Sequence, residues 1–474
     1  MKKYFLIPII VTLLFTVSCD DQLERFPVDS LVEETAYQSV SDLESGLRGA
    51  INSINRGGGQ ASLIAFNSIF TDNTRLGGDN GGQQLNLLNQ ILNSQTGDQG
   101  TWTDRYNAIN NFNRVLAGAA AITPGAGETN AYNNVLAQCY AFRAYLHHDL
   151  LTYYAEDNMN PSALGVYYQN TVSTSNFPAR QTVGEVLTEI DNDLTLASSL
   201  IPASATDKNF VTADFITFLR ARIALYSGDY TTAIANANTL IASYSLADQA
   251  QYTAMFNGDT DTTEVIFKFD NVQGNNSSIA FNWIFTGTGG NFIEMSTELF
   301  GLFAVGDVRR TVNVDPSSDP GASPPVLTIG KYPAGADTNY INDYKAMRLS
   351  EIYLIRAEAN ARKAAPDFAA AAADVAAIRS ARFGSPQTVA TYTSLNEAIT
   401  SIKAESRLEF CFEAKRYVDI QRYKNILNEG IERDAPDCQG SFPCSLPVSS
   451  PKFIFPIPQA EINANPNVVQ NTGY

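Results

Sequence analysis

Through most of the chain, apolar residues recur at spacings of three and four, the period of one helix face. Leu43, Leu47, Ile51 and Ile54 form one such stripe, and Ser41 with Glu44 predicts a capping box at its start. Trp102, Tyr106, Ile109, Phe112 and Leu116 form a second. A third, over residues 130–154, carries Tyr132, Val135, Leu136, Cys139, Phe142 and Leu146. Thr182 with Glu185 predicts another capping box, ahead of Val186, Leu187, Ile190 and Leu194.

Residues 215–244 read as helix, turn, helix. The turn is Ser227-Gly228-Asp229-Tyr230, with Gly228 suited to the left-handed conformation that ends a helix. Tyr230 and Ala233 are placed to pack on the preceding helix, as in a tetratricopeptide unit, where each helix pair buries its apolar stripe on the next. Leu349, Ile352, Tyr353, Ile355 and Ala359 line one helix of a later pair, residues 366–382 supply its Ala-rich partner, and residues 395–427 continue as helix. The predicted fold class is mostly α: a tetratricopeptide-like helix-pair array. Between 246 and 345 the period changes. Val265, Phe267 and Phe269 alternate, as do Phe281, Trp283 and Phe285, which predicts short strands in an irregular insert. Residues 438–474 are rich in proline without helical period and predict an extended strap over the helices.

The first residues read as an address. Lys2 and Lys3 precede an apolar run over residues 4–17. As a helix that run is about 21 Å long, short of a hydrocarbon core of about 30 Å, and it fits the h-region of a secretory signal. Ser18-Cys19 then meets Asp20 and Asp21, which resembles a bacterial lipoprotein processing site with Cys19 as the lipidated residue, although Thr16 stands where a leucine is usual. The predicted divisions are a signal at 1–18, a helical region at 19–245, the insert at 246–345 and a C-terminal region at 346–474.

Charge and composition narrow the function. A formal charge of -17 repels nucleic-acid phosphates. The only two histidines, His147 and His148, are adjacent on a predicted helix and read as ordinary surface positions, so no His-rich metal site is expected. Cys139 and Cys411 fall on apolar faces as buried thiols. Cys438 and Cys444, close together in a loop of an exported chain, are candidates for a disulfide.

Several strings resemble the SusD/RagB family of outer-membrane nutrient-binding lipoproteins. They are Leu23-Glu24-Arg25-Phe26-Pro27 after Cys19, the Trp102, Tyr106, Ile109, Asn113 helix, and Arg348-Leu349-Ser350-Glu351-Ile352-Tyr353-Leu354-Ile355-Arg356-Ala357-Glu358-Ala359. Arg407, Glu409, Phe410, Glu413, Arg416, Asp419 and Arg422 fit a second charged helix, and Phe455-Pro456-Ile457-Pro458 through Gln470-Asn471-Thr472-Gly473-Tyr474 fits the family's ending. The resemblance implies a cell-surface protein on a lipid anchor in the outer membrane, with no cofactor. Such a protein captures an oligosaccharide or polysaccharide and passes it to a SusC-like TonB-dependent barrel. Two other readings stay open: a helical scaffold that binds a peptide or protein, and a glycoside hydrolase, for which Glu409 and Glu413 are a carboxylate pair on one helix face. Their spacing beside arginines predicts instead a structural ion-pair network.

A sugar site needs a flat apolar face for ring C–H groups and fixed polar groups for hydroxyls. Trp102 follows an Asn/Gln/Gly-rich segment and reads either as a platform or as a core anchor; Arg105 lies one turn on, where the resemblance implies a polar contact. Trp283 reads either as the far wall of the site or as a buried face. Asp72, Asn73 and Arg75 in a polar loop, with Arg75 as the implied ligand-contacting arginine, and Asn291 after a Gly-rich turn complete the candidates. Asp72 and Asp79 do not have EF-hand spacing, so no calcium site is assigned.

Overall fold

The computed structural model describes residues 36–55, 59–98, 100–173, 177–271, 278–284, 290–333, 341–438, 440 and 442–474. The signal segment, Cys19 and Phe285 lie outside the described residues.

The first helix, α1 (Val40–Asn55), buries Leu43, Leu47 and Ile54. Its cap differs from the predicted one. Ser39 Oγ accepts the Asp42 N–H at 3.2 Å, and the Asp42 carboxylate accepts from Gln38 N–H and Ser39 Oγ. Ser41 and Glu44 lie inside the helix, because the short reciprocal pair two residues upstream reaches the orphan N–H groups first. Then follow α2 (Gly59–Ile69), β1 (Thr74–Leu76), α3 (Leu85–Leu88), α4 (Thr101–Ala119) and α5 (Thr129–Tyr154). Next is α6 (Val183–Leu200), which opens on the predicted Thr182–Glu185 capping box, with both reciprocal bonds formed.

The tetratricopeptide-like pair is α7 (Ala213–Ser227) and α8 (Tyr230–Ser243). Gly228 sits between them at φ 84°, a conformation that costs any residue with a Cβ, and Asp229 caps α8 through the Thr232 N–H. The insert holds α9 (Gln249–Asn257), β2 (Val265–Phe269), β3 (Ile293–Met295), α10 (Thr297–Leu302) and α11 (Val308–Asn313). Phe281 and Trp283 are not in a strand: Ala280–Asn282 is a turn of 3₁₀ helix.

After β4 (Tyr344–Arg348) come α12 (Leu349–Arg362) and α13 (Phe368–Phe383). The helix predicted to run through residues 395–427 is broken into α14 (Leu395–Phe410) and α15 (Arg416–Leu427). Between them Phe412 and Ala414 take φ values of 63° and 59°. The remaining elements are β5 (Ile431–Glu432), β6 (Ser445–Leu446) and α16 (Gln459–Ala464).

Helices pack in successive pairs: α1 on α4, α5 on α6, α7 on α8, α12 on α13, and α14 on α15, with α8 also against α12. The strands form three separate antiparallel ribbons, β1–β3, β2–β4 and β5–β6, with Arg75 opposite Glu294 in the first. One large apolar cluster runs from Leu43 in α1 to Val468 near the C-terminus, and a second fills the α12, α13 and α14 junction around Val375 and Ile378. The strap docks by burying Phe453, Phe455 and Ile457, and the Phe455 N–H donates to the Tyr153 carbonyl at 2.7 Å.

Cys438 and Cys444 are joined in a disulfide with Cα atoms 5.2 Å apart. Replacing both by serine is expected to cost about 2 kcal/mol on the chain-entropy relation for so short a loop. An unchanged urea midpoint in the double variant would count against this.

Candidate ligand-binding face

The ribbon β1–β3 gathers four of the predicted residues along one polar edge, and ion pairs from the C-terminal helices hold it from below. Asp72 is buried and receives both arms of Arg416, at 2.7 Å on Oδ1 and 2.5 Å on Oδ2. Arg407 approaches Asp72 Oδ2 at 3.4 Å, donates to the Asp72 carbonyl at 2.8 Å and to Asn73 Oδ1 at 3.1 Å. Burial alone would raise the Asp72 carboxyl, but Arg407 and Arg416 outweigh it and hold it well below the usual carboxylate range. Arg75 pairs with Glu294 at 2.7 Å and donates to the Pro325 carbonyl and to Thr297 Oγ1. Arg433 closes the base by donating to the carbonyls of Ile69, the last residue of α2, and of Phe70 and Thr71 just past it.

These contacts correct the sequence reading. Asp72, Asn73 and Arg75 direct their polar groups inward, with 4%, 0% and 7% exposure, and fix the loop instead of facing solvent. Asn291 is half-buried, and its Nδ2 donates to Thr328 Oγ1 at 2.6 Å. Next to it, the Gly77 and Asp79 N–H groups donate to the Phe292 and Asn291 carbonyls. A Cβ on Gly77 would lie 2.2 Å from the Asn291 carbonyl oxygen, so only glycine permits this approach. Asn80 Nδ2 bridges the Gln83 and Phe292 carbonyls.

The two tryptophans are not platforms. Trp102 is 2% exposed, edge-on to Tyr154 and Tyr167, and its Nε1 donates to Glu461 at 3.4 Å. Arg105 is 1% exposed and donates to Asp149 at 3.2 Å. Both serve the packing of α4 against α5 and the strap, away from the β1–β3 edge. Trp283 is 1% exposed, tilted against Phe412. Its carbonyl accepts the Phe292 and Ile293 N–H groups, so it ties the 3₁₀ turn to the start of β3.

That turn carries the aromatic that sequence reasoning passed over. Phe281 is 51% exposed, and Leu76, paired with Ile293 across the ribbon, is 40% exposed. Gly78 and Asp79, which follow Leu76 in the chain, are exposed as well. Exposed apolar side chains on segments joined through Trp283 and Ile293, with carboxylate and amide groups on the same ribbon, suit a ring's C–H face and its hydroxyls. A signal existed in the odd-numbered run of aromatics at 281 and 283, but the alternation did not tell which one faces out.

The Glu409–Glu413 pair is held in the predicted ion-pair network. Glu409 meets Arg348 and Arg382 at 2.7 Å each and Arg309 at 3.3 Å, and Glu413 meets Lys331 at 2.5 Å and Arg348 at 2.7 Å. Among the described residues no group of three or more metal-ligating side chains is present, and no helix is long and apolar enough to cross a membrane.

Two family profiles match the chain, one at each side of residues 216–323. One, of the SusD family, matches residues 324–474. The other, described as starch-binding and associating with the outer membrane, matches residues 29–215. The chain belongs to the SusD/RagB family. A relative from Formosa agariphila, SusD-like protein P2, is 24% identical over 526 aligned residues that cover 100% of both chains. A SusD superfamily protein from Bacteroides vulgatus superposes with a TM-score of 0.79 at 20% identity over 92% of this chain and 100% of that one. A SusD-like carbohydrate binding protein from the same species gives 0.74 at 23% over 91% and 98%. Surface glycan-binding protein A from Bacteroides fluxus gives 0.72 at 19% over 92% and 99%. This SusD/RagB member thus has the family fold, with its β1–β3 edge braced by Arg407, Arg416 and Arg433.

Proposed function

We propose that this chain is a non-catalytic glycan-binding lipoprotein. It is anchored through Cys19 to the outer membrane and hands oligosaccharides to a TonB-dependent barrel. The observation that carries the binding reading is the exposure of Leu76 on the ribbon and of Phe281 on the 3₁₀ turn that Trp283 ties to that ribbon, which buried ion pairs hold rigid. Relatives named for sugar binding share the fold and support the ligand class. Retention beside a transporter keeps the effective concentration high, so modest intrinsic affinity suffices.

Affinity electrophoresis against a panel of polysaccharides tests it. The chain is expected to be retarded by at least one glycan, and Phe281→Ala to weaken that binding about tenfold, equivalent to about 1.4 kcal/mol, with an unchanged melting curve. Trp102→Ala is a poor probe because it removes a core ring. Retardation unaltered by Phe281→Ala would reject this face as the site, and release of reducing sugar by the purified chain would reject the non-catalytic reading.

A further inference from the structure

A cavity of about 380 Å³ opens on a different part of the molecule, between the loop after α5, the end of α12, α15 and the strap. That volume is in the range of small-molecule sites. Three cations line it, Arg362, Arg422 and Lys424, against two carboxylates, Glu156 and Asp157, in a chain whose formal charge is -17.

Two of the cations keep unused capacity. Lys424 Nζ reaches only the Val448 carbonyl at 3.3 Å and Asn425 Oδ1 at 3.4 Å, and lies 5.4 Å from the Phe453 ring centroid. Burial lowers its ammonium, and Asp157 is the carboxylate that offsets this in part. Arg362 gives one arm to Glu358 at 2.7 Å and lies 5.3 Å from the Tyr230 ring centroid, while its other arm meets the Met159 sulfur at 3.0 Å, a weak acceptor for a charged donor. Arg422, by contrast, is spent on Glu358 and on the Tyr226 ring at 4.3 Å.

From this arrangement we infer that the cavity binds a small organic carboxylate, with the ligand's carboxylate between Arg362 and Lys424 and its body against Met159 and Phe453. A planar guanidinium arm and an ammonium suit the two oxygens of one carboxylate. Glu156 and Asp157 on the same wall disfavour a doubly charged phosphate or sulfate, so a single charge fits better. The carboxylate can belong to an acidic sugar or to the end of a short peptide. The inference does not depend on the glycan reading.

Isothermal titration of the mature chain with galacturonate, which carries one carboxylate, with dialanine and with the neutral sugar maltose tests it. One or both carboxylates are expected to bind with Kd near or below 1 mM, whichever arm responds naming the source. Lys424→Gln and Arg362→Gln are each expected to weaken binding about tenfold. Lys424→Gln breaks no ion pair, so a matching melting curve separates lost binding from lost fold. Phe281→Ala is expected to leave this binding intact, which separates the cavity from the β1–β3 edge. Absence of heat from both carboxylates at 20-fold above about 1 mM, or wild-type affinity in both glutamine variants, overturns the proposal.

Discussion

Replacing Arg348 with methionine is expected to lower stability by about 3–5 kcal/mol, the usual cost of removing one partner from a buried ion pair. Arg348 is 1% exposed and joins three carboxylates. Its Nη1 lies 2.5 Å from Glu264 and 2.7 Å from Glu409, while Nε and Nη2 fork onto Glu413 at 2.9 and 2.7 Å. Nη1 also meets Ser350 Oγ at 2.8 Å, and Nη2 the Glu409 carbonyl at 3.1 Å. Without it, Arg382, Arg309 and Lys331 must serve the same acids with their geometry already committed. The penalty comes from stranded charge, not from lost packing, since methionine fills much of the volume. Arg348→Lys restores the charge without the fork and is expected to recover only part of the loss. The pH dependence adds a second check. Burial pushes the Glu409 carboxyl up, but Arg382, Arg348 and Arg309 outweigh it and hold it well below its ordinary value. Its contribution is therefore present above the unfolded pKa of about 4.3 and fades as pH falls from there toward the folded one, so the gap between wild type and variant narrows on acidification. Urea unfolding at pH 7 and pH 4 measures both; a loss under about 1 kcal/mol at pH 7 would show the network to be dispensable.

Local signals in the sequence were sufficient for the helix pairs, and failed wherever a distant partner decided the outcome. Gly228 and the Thr182–Glu185 box specify their own backbone within four residues, and both stand as read. The break between α14 and α15 was invisible because it places Phe412 and Ala414, two residues with no preference for positive φ, in the left-handed region. What holds them there is tertiary: Phe412 is 1% exposed against Trp283, from the insert. The candidate site misled for the same reason. Polar residues in a Gly-punctuated loop look like ligand contacts, yet Asp72 and Asn73 are claimed by Arg416 and Arg407, more than three hundred residues later in the chain. Rare aromatics look like platforms, but a tryptophan offers so much apolar area that the core takes it first, leaving the smaller Phe281 outside.

The pair His147-His148 is expected to make the protein acid-labile, with about 2 kcal/mol lost per histidine between pH 6.5 and pH 5. Neither lies on the helix surface as the sequence suggested: they are 0% and 4% exposed within α5. Two hydrogen bonds fix the charge state of His147. Its Nε2 accepts the Gln169 N–H at 2.9 Å, and its Nδ1 lies 2.8 Å from the Arg143 carbonyl, to which it must donate. Only the neutral ring can do both. Burial pulls both histidines down to about 3; Arg143 also opposes protonation of His147, and Arg222 and Lys415 oppose it at His148. Because the folded values lie below the unfolded one of about 6.5, the unfolded chain binds protons first, so the stabilisation is complete above pH 6.5 and drains away as pH falls toward 3. Asp149 and Asp419, whose carboxyls burial raises, take up protons in the folded state and oppose this trend as their own range is reached. His148→Gln is expected to cut the slope of stability against pH by about half, since one of the two proton sites is gone. Urea midpoints at pH 7, 6 and 5 decide it. A wild-type midpoint that stays flat over that range would mean water reaches the rings and the imidazoles titrate as freely in the fold as outside it.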